Sequence, residues 1–195
     1  MEEAAHPFIH HLESCFGRIA EGWHLLQRAV DGNVLKIDAV LCSGGLIPDV
    51  AVVSTVGLSH FQLRSAASNK SFRQELFLMA SDGQINPKMP AILAQIVKER
   101  LDVNKGILRG EVLSKPGALF DREDFVALYA TVPAYLPTDR WTFHDENFGD
   151  IVLCSLLPIT RQEHAFLNQK GRTEFERLLD NAPFDLFDLN RPTLA

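Results

Sequence analysis

The end of the apolar run VVSTVGLS, residues 52–59, carries the first residue types that could perform chemistry. A glycine and a serine in the turn after a strand occur in phosphate loops and beside nucleophilic serines. Gly57-Leu58-Ser59 lacks the Gly-Lys-Ser/Thr ending of a P-loop and the second glycine of a nucleophile elbow. We therefore interpret Gly57 as permitting a tight exit from a buried strand, and Ser59 as capping the next turn or helix.

A second candidate is an Arg–Glu pair in the run RQELFLMA, residues 73–80. Because side chains alternate along a strand, Arg73 and Glu75 point to the same side. An inward pair could serve a small hydrolase or transferase with a polar pocket beside it, and His60 could take part. Structural ion pairs look the same in a sequence, and we favour that interpretation. We predict no catalytic residues, and keep the hydrolase or transferase as the alternative.

Metal and cofactor sites are not indicated by the spacing of possible ligands. His6 and His10 stand four apart on an expected helix, but no further ligand completes a site. Asp145, Glu146 and Asp150 flank a loop without the spacing of a calcium-binding loop. The three cysteines are far apart and form no CxxC pair. We predict no metal and no cofactor.

The charge distribution points to a protein partner. The net charge is −6, which argues against nucleic acid as the partner. Residues 121–150 hold seven Asp or Glu against two Arg, with aromatic residues between the acids. Aromatic anchors supply interface energy and peripheral carboxylates steer a basic partner. We predict that the partner-binding residues are Trp141, Phe143, Asp145, Glu146, Phe148 and Asp150, and that reversing the charge of Asp145 and Glu146 affects folding little.

The length and composition are those of one soluble globular domain. The chain has 195 residues, of which 46% are hydrophobic and 23% are charged. No apolar run is long enough to cross a membrane, and the acidic N-terminus does not resemble a signal peptide. We therefore predict a cytoplasmic protein with no membrane partner. The oligomeric state is left open.

The hydrophobic periodicity predicts helices at both ends and in the middle of the chain, with strands between them. Apolar residues from Phe8 to Ile19 have helical spacing, and a further helix is expected to open at Pro90. Thr160-Arg161-Gln162-Glu163 has the form of a capping box. Because strands and helices do not alternate strictly, we predict an α+β domain with a mixed, largely antiparallel sheet and flanking helices.

Several motifs in order resemble the suppressor of fused family, in its single-domain bacterial form. A strand ends in a T-x-G-[LM]-S sequence, a strand with R-x-E-L comes next, and an L-P-[IL]-[ST]-x-x-E turn opens a late helix. The matching residues are Thr55, Gly57, Leu58, Ser59, Arg73, Glu75, Leu76, Leu157, Pro158, Ile159, Thr160, Glu163 and Gly171. The resemblance extends over residues 8–182.

The resemblance implies a binding domain and not an enzyme, with these signature residues as its scaffold. The animal relative holds a transcription factor with the help of a second domain, which is absent here. Similar single-domain bacterial proteins are implicated as immunity proteins or antitoxins. We therefore expect a suppressor-of-fused-like domain at residues 1–182, a partly packed acidic and aromatic tail at 183–195, and a partner that is a toxin, for example a basic one.

Overall fold

The computed structural model describes residues 7–30, 32–114 and 119–194. Nine strands and four helices lie in these ranges. The helices are α1 Pro7–Phe16, α2 Lys88–Val103, α3 Arg161–Lys170 and α4 Arg172–Asp180. The strands are β1 Gly17–Val30, β2 Asn33–Gly44, β3 Val50–Val56, β4 Leu63–Arg64, β5 Ser71–Ser81, β6 Val112–Ser114, β7 Phe125–Thr131, β8 Thr142–Asp145 and β9 Gly149–Thr160.

The strands form one mixed sheet in the order β1-β2-β3-β5-β9-β7-β6. The short strand β4 pairs with β5, and β8 pairs with β9. The pairing of β5 with β9 is parallel, and the other described pairings between strands are antiparallel. The predicted α+β domain with a largely antiparallel sheet is therefore confirmed.

Helices cover both faces of this sheet. Leu76 and Leu78 of β5 belong to a core cluster that also contains the apolar side chains of α2. Phe77 and Met79, which alternate with them, pack in a second cluster with α1. A third cluster joins β7 and β9 to α3 and α4. No described helix has the length and apolar character needed to cross a membrane.

The N-terminal elements differ from the predicted ones. The helix ends at Phe16, not near Ile19, because Gly17 has φ +86° and starts β1. β1 was not predicted from its sequence. Register shifts at Ile19/Glu21 and at His24/Leu26 break the alternation that marks a strand. In the middle of the chain, α2 begins two residues before Pro90, at Lys88.

The C-terminal tail contributes to the core. Leu186, Phe187 and Leu189 are buried, whereas Asp185 and Asn190 are exposed. The expectation of a partly packed tail holds for these side chains. The domain boundary at residue 182 stays a prediction, and residues 1–6 of that domain lie outside the described residues.

Candidate functional site

The carboxylate of Glu75 holds the turn that comes after β3. Its Oε1 accepts hydrogen bonds from the backbone N–H groups of Gly57 and Ser59, both at 2.9 Å. Its Oε2 accepts the hydroxyl hydrogen of Thr55 at 2.5 Å. Glu75 is 0% exposed. The two sequence motifs T-x-G-L-S and R-x-E-L are therefore two halves of one buried hydrogen-bonded unit.

Burial affects the pKa of Glu75 more strongly than its hydrogen bonds do. Removal of the carboxylate from water raises its pKa, and the donors at Thr55, Ser59 and Gly57 oppose that rise only in part. Since both oxygens are occupied and the side chain is fully buried, a substrate cannot reach it without opening the turn. The Glu75 carboxylate is therefore not accessible to a substrate, as the hydrolase or transferase alternative would require.

Gly57 has the backbone geometry that its position was predicted to require. Its φ is +101°, and a Cβ built on it would lie 2.4 Å from the carbonyl oxygen of Lys36. The expectation that Ser59 caps the next element is wrong. Leu58–His60 form a 3₁₀ turn, and Gly57 is its N-cap residue, without a side-chain cap. Ser59 contributes its backbone N–H to Glu75 from inside that turn.

Arg73 has a structural role, but its contacts are not with Glu75. Its Nη1 donates to the carbonyl oxygen of Ser59 at 2.6 Å, and its guanidinium lies 4.9 Å from the centre of the Phe148 ring. Among the described residues, no ion pair joins Arg73 to Glu75. Burial lowers the pKa of Arg73, and the charge of Asp145 opposes that shift. Arg73 therefore connects the 3₁₀ turn to the turn between β8 and β9.

A cavity of about 370 Å³ lies beside the 3₁₀ turn. Its lining includes Phe8, Lys36, Asp38, Ser59 and His60. Neither Arg73 nor Glu75 is among the lining residues. This cavity is therefore not the polar pocket that the enzyme alternative requires beside Arg73 and Glu75.

The predicted acidic partner residues differ in burial, since one of the three is buried and the other two are exposed. Asp145 is only 4% exposed, and its Oδ1 accepts the N–H groups of Asn147 and Phe148 at 2.8 and 3.0 Å. Glu146 and Asp150 are exposed, and Asp150 pairs with His144 at 2.8 Å. Asp145 therefore shapes the turn between β8 and β9, and its neighbours carry the exposed charge.

The three predicted aromatic residues are half-buried against their own domain. The Phe143 ring centre lies 5.7 Å from that of Phe8, and Phe148 lies 5.2 Å from the ring of His60. Trp141 donates its indole N–H to the carbonyl oxygen of Leu136 at 3.0 Å. These contacts fix the rings in place, and all three residues remain partly exposed.

The acids of residues 121–150 do not form one continuous patch. Asp121, Glu123 and Asp124 precede β7, whose first residue pairs with Thr160 at the end of β9. Asp145, Glu146 and Asp150 lie at the start of β9. The twelve residues of β9 separate the two groups by roughly 35 Å, at about 3.3 Å per residue. Fewer acidic residues therefore lie next to the aromatic residues than the seven that residues 121–150 contain.

A second buried carboxylate organises the C-terminal signature. Thr160 and Glu163 form the predicted capping box, with the Thr160 N–H donating to Glu163 at 2.8 Å and the Glu163 N–H donating to the Thr160 hydroxyl at 3.2 Å. Arg191 donates to both Glu163 oxygens and to the carbonyl oxygen of Pro158. Gly171, with φ +81°, separates α3 from α4. Nothing in the sequence pattern predicted the role of Arg191.

The family model described as "Suppressor of fused protein (SUFU)" matches residues 34–192. This chain belongs to the suppressor of fused family. The match spans both buried-carboxylate units, including Arg191. No curated protein sequence matches this chain significantly.

Solved structures share the fold of this suppressor of fused chain. A putative homolog from Neisseria gonorrhoeae is 20% identical with a TM-score of 0.70, and the match covers 95% of this chain and 93% of that one. A crystal structure of the Sufu-Fu complex contains a chain that is 13% identical with a TM-score of 0.65, with 96% and 91% covered. Drosophila Suppressor of Fused is 14% identical with a TM-score of 0.63. That match covers 96% of this chain and 50% of the Drosophila protein.

The candidate site of this suppressor of fused domain is the end of the sheet where the 3₁₀ turn after β3 adjoins the turn between β8 and β9. We call the exposed parts of β8, the turn at residues 145–149, Asp150 and His60 the hairpin surface. Among the described residues, no group of three or more His, Cys, Asp or Glu side chains is arranged to hold a metal ion. His6, one member of the histidine pair, lies outside the described residues.

Proposed function

We propose that this chain is a non-catalytic protein-binding domain of the immunity or antitoxin type, which acts in the cytoplasm and neutralises a basic toxin. The hairpin surface is the proposed interface. Its partner is a protein with a cationic surface, such as an enzyme that binds a phosphate polymer. The exposed acids would occupy the surface that such an enzyme uses for phosphates.

The observation that carries this proposal is the combination of rigid aromatic rings and exposed carboxylates on one short hairpin. Phe143 and Phe148 are held by ring contacts with Phe8 and His60, so little side-chain entropy is lost when a partner covers them. Glu146 and Asp150 are exposed next to them. Interfaces place aromatic anchors at the centre and charged groups at the rim.

Family membership supports a binding role in general terms. The structure named for the Sufu-Fu complex contains a chain with this fold, and its name states that the complex has a second protein. The match to the bacterial homolog covers 95% of this chain and 93% of that one. These structural similarities support the shared fold, and the toxin partner is our proposal.

The experiment co-expresses this chain with basic toxins encoded beside its gene and measures growth rescue. Association rates are then measured with any toxin that is neutralised. We expect Glu146→Lys with Asp150→Lys to slow association and to flatten its salt dependence, because rim charges act mainly on the encounter rate. Glu21→Lys with Glu123→Lys is the matched control, since both residues are exposed and lie outside the hairpin surface.

Equal rates and salt slopes for the two double variants would place the interface elsewhere. Failure of every neighbouring basic toxin to be neutralised would overturn the toxin role. Thermal unfolding of each variant is measured alongside, because only variants that unfold at the wild-type temperature report on binding.

A further inference from the structure

A cavity of about 250 Å³ lies on the sheet face opposite α2, away from the hairpin surface. It exists because two helical clusters cover different parts of that face. Leu153 of β9 packs in the α1 cluster, and Ile159 packs in the α3 and α4 cluster. Ser155 and Leu157, between them, form the floor of the cavity. Apolar walls come from α4, the loop after β7 and the C-terminal tail.

The floor of this cavity holds hydroxyl groups without protein partners. Ser155 is only 7% exposed, and its hydroxyl makes no hydrogen bond with any described residue. Thr131 lies beside it on β7, and its hydroxyl likewise has no bond within the described part of the chain. Ser155 is buried and Thr131 is half-buried, and both residues line the cavity at a place where a sheet face under a core normally carries apolar residues. The two hydroxyls therefore indicate a ligand that forms hydrogen bonds.

The charges that line the cavity leave one carboxylate uncompensated. Arg109 donates from Nε and Nη2 to the two oxygens of Glu176, at 2.9 and 3.0 Å, so these two charges neutralise each other. Tyr129 also donates to Glu176, at 2.9 Å. Asp180 lines the cavity, is exposed and forms no ion pair with any described residue. The formal charge of the lining is therefore −1.

The position of Asp180 is unfavourable for the helix that carries it. Asp180 is the last residue of α4, where the helix dipole favours a cation and disfavours a carboxylate. Tyr135, at the mouth of the cavity, responds to the same negative environment. Partial burial, followed by the charges of Asp185 and Asp180, raises the pKa of its phenol to about 12.

We infer that this cavity binds an alkylguanidinium or alkylammonium group. Its aliphatic stem lies against Leu157, Leu179 and Leu186, its cation contacts Asp180, and its N–H groups donate to Ser155 and Thr131. The volume suits one such chain, since pockets for drug-sized ligands begin at about 300 Å³. The group comes either from a free small molecule or from an Arg or Lys side chain of a bound protein.

The test uses n-butylguanidinium and its neutral isostere n-butylurea, titrated into the protein while amide NMR shifts are followed. We expect shifts at residues that line the cavity and about fivefold tighter binding of the cation, the size of one partly exposed ion pair. The variant Asp180→Asn should abolish the preference for the cation, and Ser155→Ala should weaken both ligands. Glu174→Gln is the control, because Glu174 lies on the same helix and pairs with Arg177 outside the cavity.

Equal binding of the cation and the urea, a preference that survives Asp180→Asn, or no shifts at the cavity would each overturn the inference. A capped Ala-Arg-Ala peptide distinguishes the two sources. If the peptide binds at least as tightly as n-butylguanidinium, the cavity accepts a protein side chain. If only the free cation binds, the ligand is a small molecule. Loss of the hairpin interface would leave all these results unchanged, so the two proposals fail independently.

Discussion

The hydroxyl of Thr55 lies 2.5 Å from the carboxylate of Glu75, and this contact joins the end of β3 to the middle of the neighbouring strand β5. The same hydroxyl oxygen accepts the backbone N–H of Leu76 at 2.9 Å. The carboxylate in turn holds the N–H groups of the turn at Gly57 and Ser59. A single buried side chain therefore satisfies the backbone donors of a turn that has no secondary-structure partner for them.

We expect Glu75→Ala to destabilise the domain by about 3–5 kcal/mol, because it leaves two buried N–H groups unpaired. Glu75→Gln should cost about 1 kcal/mol or less, since the amide oxygen can still accept both N–H groups. Urea unfolding of both variants measures these costs. Equal losses for the two substitutions would show that the packing volume of Glu75 matters and its hydrogen bonds do not.

The raised pKa of Glu75 predicts a pH dependence of its own. Its pKa is above 4.5 in the native state because of burial, so the native state binds more protons than the unfolded state between 4.5 and the native pKa. The free energy of unfolding therefore falls as pH rises through that window. Glu75→Gln lacks this fall, so its stability relative to wild type should improve between about pH 4 and pH 8. A constant difference over that range would contradict the raised pKa.

Gly57→Ala should destabilise the domain by about 2–4 kcal/mol. The substitution combines a disfavoured φ of +101° with a Cβ placed 2.4 Å from a backbone oxygen that cannot move freely. Gly83→Ala is the matched control, because Gly83 has φ +79° but no atom within 4 Å of the added Cβ. We expect about 1 kcal/mol there, from the backbone conformation alone. Similar changes in the two thermal midpoints would remove the steric part of the argument.

The sequence predicted the features that depend on local patterns. The capping box at Thr160 and the turn geometry at Gly57 depend on a few neighbouring residues, and both are present. The contacts of Arg73 and Glu75 were misassigned, because alternation fixes only the side to which a side chain points. Their true partners, Phe148 and the turn after β3, are far away in sequence. Arg191 was missed for the same reason, since its partner Glu163 lies 28 residues earlier.

Thr160→Ala should cost about 1–2 kcal/mol. The substitution removes the acceptor of the Glu163 N–H at the start of α3, and the hydroxyl also lies 2.9 Å from that of Thr193. Thr173→Ala serves as the control, because Thr173 is an exposed residue in the first turn of α4. Denaturant midpoints and slopes should be compared for both. An unchanged midpoint for Thr160→Ala at constant slope would show that the cap does not stabilise the domain.

Arg191→Met should be among the most destabilising substitutions, at about 3–5 kcal/mol, because it leaves the charge of Glu163 buried without its partner. Arg191 is 1% exposed and Glu163 is 0% exposed. Adding Glu163→Gln should recover part of that loss by removing the charge. Arg177→Met breaks an exposed pair with Glu174 and should cost less than about 1 kcal/mol. If the double variant were less stable than Arg191→Met, charge burial would not be the cause.

Asp145 and Glu146 are adjacent in the sequence, but substitution of Asp145 should destabilise the domain far more than substitution of Glu146. Asp145→Ala removes the acceptor for the N–H groups of Asn147 and Phe148, so we expect a loss of about 1–2 kcal/mol and a loosened turn between β8 and β9. Asp145→Asn keeps a side-chain oxygen in place and should cost less. Glu146→Lys changes an exposed charge and should stay within about 0.5 kcal/mol of wild type.

This contrast corrects the expectation that charge reversal at both positions would affect folding little. It also decides which variants can probe the hairpin surface. A slower association caused by Asp145→Lys would combine a lost charge with a displaced Phe148. Glu146→Lys changes an exposed charge alone, and Asp150→Lys also removes the exposed pair with His144. Thermal unfolding monitored by tryptophan fluorescence, to which Trp23 and Trp141 both contribute, measures the difference in stability. If Asp145→Ala unfolded at the wild-type temperature, the turn would be held by the packing of Phe148 against Arg73 and His60, and not by the Asp145 carboxylate.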